Sequence, residues 1–141
     1  MASKVFLDAN VCISFLLQRK GFESSELVFE KIVSQELKAY VSPAIVHIIA
    51  YFLGKVLAKD VVKSLVLSLL ANVKVIDCNH EITINAINSR MTDIEDALQY
   101  YTAMHHKMEY FISLDKNFIK SAIPNLPVFS PTEYLKTFDN V

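Results

Sequence analysis

The stretch from Thr92 to Phe118 constrains this chain most, because it joins a helix to a strand and ends both near an acid. It reads as a capped helix, a tight connection and a short strand. Ile94, Ala97, Leu98, Tyr101, Met104 and Met108 recur at helical spacing and predict the buried stripe. Thr92 followed by Glu95 fits a capping box, which gives Glu95 a role at the helix start. Asp96 lies one residue beyond that box and off the apolar stripe. Residues 110–114 form an apolar run suited to a buried strand, and Asp115 follows immediately. In an open α/β sheet, ligands gather outside the carboxyl ends of the strands. An Asp at a helix start and an Asp at a strand's end are therefore expected to meet there.

The rest of the chain repeats this alternation. Residues 4–7 predict a strand ended by Asp8, and residues 10–19 a helix closed by Gly21. A second helix covers 22–35 and a second strand 38–41. Ser42-Pro43 is a strong helix start, an N-cap followed by proline at the first helical position, and that helix runs to Leu53 before Gly54. Residues 59–71 predict a helix, 74–76 a strand, and Asn79 caps a helix reaching Asn88. Residues 126–129 are a last strand, and Ser130-Pro-Thr-Glu133 a further capped start. Strands alternating with helices at this spacing imply a parallel sheet covered on both faces, an α/β/α sandwich. There is no internal repeat or linker, and 141 residues suit one domain spanning 1–141.

Absences bound the chemistry. Gly21 and Gly54 are the only glycines, so neither a P-loop nor a dinucleotide fingerprint is possible. No His or Cys pair has zinc spacing, and there is no Gly-x-Ser-x-Gly elbow. The longest uncharged stretch, residues 39–54, falls short of the ~20 apolar residues of a membrane span. Cys12 and Cys78 make no redox motif and read as core thiols of a cytoplasmic protein. His47 reads as a packed histidine on an apolar helix. A net charge of −1 gives no overall field for nucleic acid, so any such site must be local. The chain is 52% hydrophobic with mean hydropathy +0.31. That surplus suggests a covered surface, either a homodimer or a protein partner.

What remains is Asp8, Asp96 and Asp115, each where a strand end or helix start can face a common cleft. Clustered carboxylates suit Mg²⁺ or Mn²⁺, hard cations that take oxygen ligands. Each acid taken alone is as readily a helix cap favoured by the dipole, and Asp93 and Glu95 more readily still.

These residues carry a resemblance. Val5-Phe-Leu-Asp-Ala-Asn-Val11 resembles the opening of PIN-domain nucleases, a strand ending in Asp followed by a small residue and Asn. Glu95-Asp-Ala-Leu98 resembles their third motif, and Ile112-Ser-Leu-Asp-Lys-Asn-Phe118 their fourth. Ser42-Pro43 resembles the start of the helix between. The match runs in order across about residues 4 to 135, and the order and spacing are more specific than any single motif. The family resemblance implies a PIN-like parallel sheet, a divalent metal (Mg²⁺ or Mn²⁺) and cleavage of RNA. Members of this length resemble VapC-like toxins, which implies an antitoxin partner. Asp8, Asp96 and Asp115 would then be the metal-binding, catalytic acids. Asn10 would orient Asp8, and Asn117 would support Asp115.

One position departs from the pattern. The helix after Ser42-Pro43 usually supplies a Glu six residues past the Ser, and Ile48 stands there. Asp93 or Glu95 is the candidate to make up that charge. The resemblance thus implies a metal-dependent endoribonuclease, with metal binding weakened by the missing acid; the alternative is a PIN-like module that binds RNA or protein with catalysis weakened.

Overall fold

Val5, Phe6 and Leu7 have no polar face, and all three are fully buried in the middle of a parallel sheet. In the computed structural model, which describes residues 2–138, the elements follow in this order: β1 (Ser3–Leu7), α1 (Ala9–Leu16), α2 (Glu23–Val33), β2 (Leu37–Val41), α3 (Pro43–Leu53), α4 (Lys59–Leu70), β3 (Val73–Val75), α5 (His80–Ile87), α6 (Ile94–His105), β4 (Tyr110–Ile112), α7 (Lys116–Lys120), β5 (Val128–Phe129) and α8 (Pro131–Phe138). The sheet order is β3-β2-β1-β4-β5, with every pairing parallel. This is the expected α/β architecture.

The order fixes where a site can form. From β1 the chain steps to β2 and then β3 in one direction. It then crosses back over β1 to β4 and β5. Right-handed crossovers place helices for opposite steps on opposite faces of a sheet. Accordingly α1 packs on α2 and α3, and α3 on α4, as one layer, while α5 and α6 pair as the other. The strand order reverses between β1 and β4, and the crevice beyond their carboxyl ends is the switch point of the sheet.

Local chemistry sets most boundaries. Ser42 caps α3, its Oγ accepting from the Ile45 amide at 3.2 Å, and Asn79 caps α5, accepting from Ile82 at 2.9 Å. Ser130 does the same for α8 through the Glu133 amide at 3.1 Å. Three expectations need correction. The cap of α6 is Asp93, whose Oδ1 accepts from the Asp96 amide at 2.9 Å, and not Thr92. Asp caps better than Thr, so the helix begins one residue later and Glu95 is released from a capping box.

The buried stripe of α6 is also rotated. Ile94 is 58% exposed, whereas Gln99, Tyr100 and Thr102 are buried. These polar side chains can go inside because each has a partner. Gln99 Oε1 accepts from Ser42 Oγ, Tyr100 donates to the Leu126 carbonyl, and Thr102 donates to the Leu98 carbonyl at 2.7 Å. Finally, His47 is exposed rather than packed. Ile45, Ile49 and Leu53 take the inner face of α3, at a spacing of one turn, and His47 falls on the outer one. Cys12 is buried and Cys78 half-buried, both free. Among the described residues no helix is long and apolar enough to cross a membrane.

Candidate active site

Asp8 leaves the central strand as the N-cap of α1, its Oδ1 accepting from the Ala9 amide at 2.8 Å. Its Oδ2 accepts from Ser113 Oγ at 2.8 Å, and at 3.5 Å from Asn10 Nδ2. Ser113 is fully buried, just past β4, and its hydroxyl also accepts from the Asp115 amide at 3.0 Å. One hydroxyl therefore locks the end of β1 to the acid that follows β4. Asn10 adds a second tie, its Oδ1 accepting from the Leu114 amide at 3.1 Å. Asn10 thus lies where it can orient Asp8. Ser113 was not singled out from the sequence; a hydroxyl closing an apolar strand run was the signal available.

Asp115 does not follow its strand directly. β4 ends at Ile112, and Asp115 is the N-cap of the short α7, with Oδ1 accepting from the Asn117 and Phe118 amides at 2.9 and 3.3 Å. Asn117 supports it through its main chain, leaving the amide side chain exposed. Asp96 comes from the opposite layer, in the first turn of α6.

These acids share one cleft of about 230 Å³, lined by Asp8, Asn10, Arg19, Ile48, Phe52, Glu95, Asp96 and Asp115 among others. Asp93 is outside it, occupied with its cap, and borders an adjoining cavity of about 540 Å³ that shares Asp96 and Asp115. Burial raises the Asp8 pKa from its ordinary value, opposed by the Ser113 and Ala9 hydrogen bonds and assisted by the Asp115 and Glu95 charges. Asp96 is pushed up to about 7, first by burial and then by the charges of Asp93, Asp8, Asp115 and Glu95. Mutual repulsion of this kind is what a cation relieves.

The donor chemistry suits a hard divalent ion, since every titratable group facing the cleft except Arg19 is a carboxylate. As the side chains stand, no three acids, histidines or cysteines among the described residues are grouped tightly enough to hold one. The fit is thus one of chemistry and shared cleft. Ile48 lines that cleft, as the spacing from Ser42 implied, and Glu95 lines it too, with no competing cap bond. Histidines stay away: His106 Nε2 lies 2.9 Å from the Asp77 carbonyl oxygen, and His47 faces outward.

The comparisons with known proteins bear on the fold and the family. Among solved structures, a chain of the DNA-bound VapBC complex from Salmonella typhimurium superposes with TM-score 0.72 at 18% identity, over 92% of this chain and 98% of that one. VapBC2 from Rickettsia felis, bound to a promoter DNA fragment, gives TM-score 0.71 at 18% identity over 90% and 98%. Mycobacterium tuberculosis VapC20, described as a toxin that cleaves the sarcin–ricin loop, gives 0.64 at 11% identity over 86% and 97%. Comparison with curated protein sequences gives no match. The PIN-domain family model matches residues 4–117, a span that includes Asp8, Asp96 and Asp115. The chain belongs to the PIN-domain family.

Proposed function

We propose that this protein is a metal-dependent endoribonuclease, the toxin of a toxin–antitoxin pair. The observation that carries the reading is the convergence of Asp8, Asp96 and Asp115 on one cleft at the switch point of a PIN-domain sheet. Asp8, Asp96 and Asp115 would hold Mg²⁺ or Mn²⁺, and Glu95 is the further carboxylate lining the same cleft. When bound, such an ion polarises a phosphoryl oxygen and lowers the pKa of water at the site. The chain's own residues do the positioning. Ser113 and Asn10 fix one oxygen of the Asp8 carboxylate, and the α7 amides fix one oxygen of Asp115. The antitoxin reading draws support from fold neighbours that include VapBC complexes and a toxin–antitoxin complex from Klebsiella pneumoniae.

The test is cleavage of RNA by the purified protein with Mn²⁺ or Mg²⁺ and with EDTA. Asp8→Asn, Asp96→Asn and Asp115→Asn are each expected to lower metal-dependent cleavage by more than about a hundredfold, because even outer-shell partners of metal ligands are worth ten- to a hundredfold. Retained activity in any two of them overturns the assignment. One observation favours a second reading, a PIN-like module that binds RNA or protein with little catalysis. Ile48 and Phe52 put apolar surface where a further ligand would extend the acid group. Tight RNA binding without metal-dependent cleavage would support it.

A further inference from the structure

The chain has only two arginines, Arg19 and Arg90, against twelve lysines. Arg19 lines the acid cleft, and Arg90 lines the larger cavity that shares Asp96 and Asp115 with it. No lysine lines either one. Both arginines are exposed, and neither forms a salt bridge among the described residues, although carboxylates line the same cavities. Their main chains are nonetheless well anchored. Gln18 turns at φ 50° after α1, the Arg19 amide then donates to the Ser14 carbonyl at 3.0 Å, and its carbonyl accepts from Phe22 at 2.9 Å. Arg90 sits in a turn organised by Ser89, whose hydroxyl donates to the Ala86 carbonyl at 2.7 Å and accepts from the Met91 amide at 3.3 Å.

The larger cavity has the size and walls of a nucleobase site. Its volume of about 540 Å³ falls in the range of small-ligand pockets. Half-buried Tyr101 and Met91 supply apolar and aromatic wall, and Asn117 and Ser121 supply donors and acceptors. Its floor is rigid, because the Tyr100 hydroxyl both donates to the Leu126 carbonyl and accepts from the Ile123 amide at 3.0 Å. An unstacked base can be held on such a wall and read along its edge, as single-stranded RNA is generally read.

We propose that the two cavities form one track for single-stranded RNA across the acid site, with an unstacked base in the larger cavity and Arg19 and Arg90 binding the phosphates on either side of the one that is cut. This rests on the nuclease reading for the position of the cut, and on the cavities and arginines for the track. Arginine suits the task because its planar guanidinium takes a phosphate through two donors and stays charged beside carboxylates. Placing one arginine on each side lets a polyanion cross a cleft whose other walls are acidic.

The experiment measures equilibrium binding of a fluorescein-labelled single-stranded RNA by anisotropy across a salt series, alongside kcat and KM in Mn²⁺. Arg19→Ala and Arg90→Ala are each expected to weaken binding roughly tenfold and to reduce the slope of log affinity on log salt by about 0.7, one lost phosphate contact on a single strand. KM should rise with kcat nearly unchanged. Arg19→Lys and Arg90→Lys should keep the slope and recover only part of the affinity. Tyr101→Ala should weaken binding roughly five- to a hundredfold with no change in slope, as a lost stacking platform does. Melting curves on each variant exclude unfolding. If the wild type cuts RNA and both alanine variants bind it with unchanged affinity and slope, the track is overturned while the nuclease reading stands. If RNA binds in an arginine-dependent way but is never cut, the track stands and the nuclease reading falls. A wild type that neither binds nor cuts single-stranded RNA overturns both.

Discussion

Asp96 is the residue whose ionisation should be easiest to observe. Its pKa is pushed up to about 7, so the folded state favours the neutral form. A carboxyl raised in this way contributes stability at low pH and loses it as pH rises through the folded value. In EDTA the wild type should therefore melt at falling temperature from about pH 4 to above 7. Asp96→Asn, which cannot ionise, should flatten that decline and raise the apo melting temperature at pH 7.5; identical profiles for the two proteins would refute the coupling. On the proposed function, divalent metal is expected to reverse the sign, stabilising the wild type at high pH and leaving Asp96→Asn less affected. Ile48 supports a related experiment. It lines the same cleft as the acids, so a carboxylate there would face a bound cation and, without one, three like charges. Ile48→Glu should tighten Mn²⁺ binding and raise activity at limiting metal, yet lower the apo melting temperature. A loss of stability that Mn²⁺ does not rescue would place the side chain in the core.

At the scale of elements, the helix caps were largely legible because they are local. Ser42, Asn79 and Ser130 need only the amide three residues ahead, and each makes that bond. The start of α6 was misread because two candidates stand side by side and the better acceptor wins. Asp93→Ala should cost about 1 kcal/mol in urea unfolding, against less than about 0.5 for Thr92→Ala. The measurement belongs at pH 5, where Asp96 is mostly neutral and its repulsion with Asp93 is small. Equal effects of the two substitutions would return the cap to Thr92. The stripe of α6 was misread for another reason. Hydropathy places Ile94 inside and Gln99 outside, but burial follows partners, and Ser42, from an element far away in sequence, supplies one for Gln99.

For the whole molecule, the accessible surface is 8441 Å², whereas a compact monomer of 16.0 kDa exposes about 7,400 Å². Tyr51, Val56 and Leu67, on or beside α3 and α4, are 58%, 66% and 69% exposed. The chain is therefore expected to purify as a homodimer or with a bound protein partner, an antitoxin on the proposed reading. Light scattering showing only monomer at high micromolar concentration, with no co-purifying protein, would refute this. Tyr51→Ser with Leu67→Ser should shift any dimer toward monomer without lowering the melting temperature of the monomer.

The order of strands and helices, the acids at their ends and the position of Ile48 were determined by the sequence alone. Each rests on spacing within a few residues, which a chain carries wherever it goes. That Asp8, Asp96 and Asp115 share a cleft was decided by the tertiary structure. It depends on the reversal of strand order between β1 and β4, which brings α6 from the far layer over the end of the central strand. The same holds for Ser113, whose hydroxyl matters only because β1 and β4 are neighbours 105 residues apart. It holds too for Arg19 and Arg90, two ordinary exposed cations until the fold sets them on adjoining walls. Local bonds are written in neighbouring residues. Convergence is a property of the path the chain takes between them, and no pair spacing encodes it.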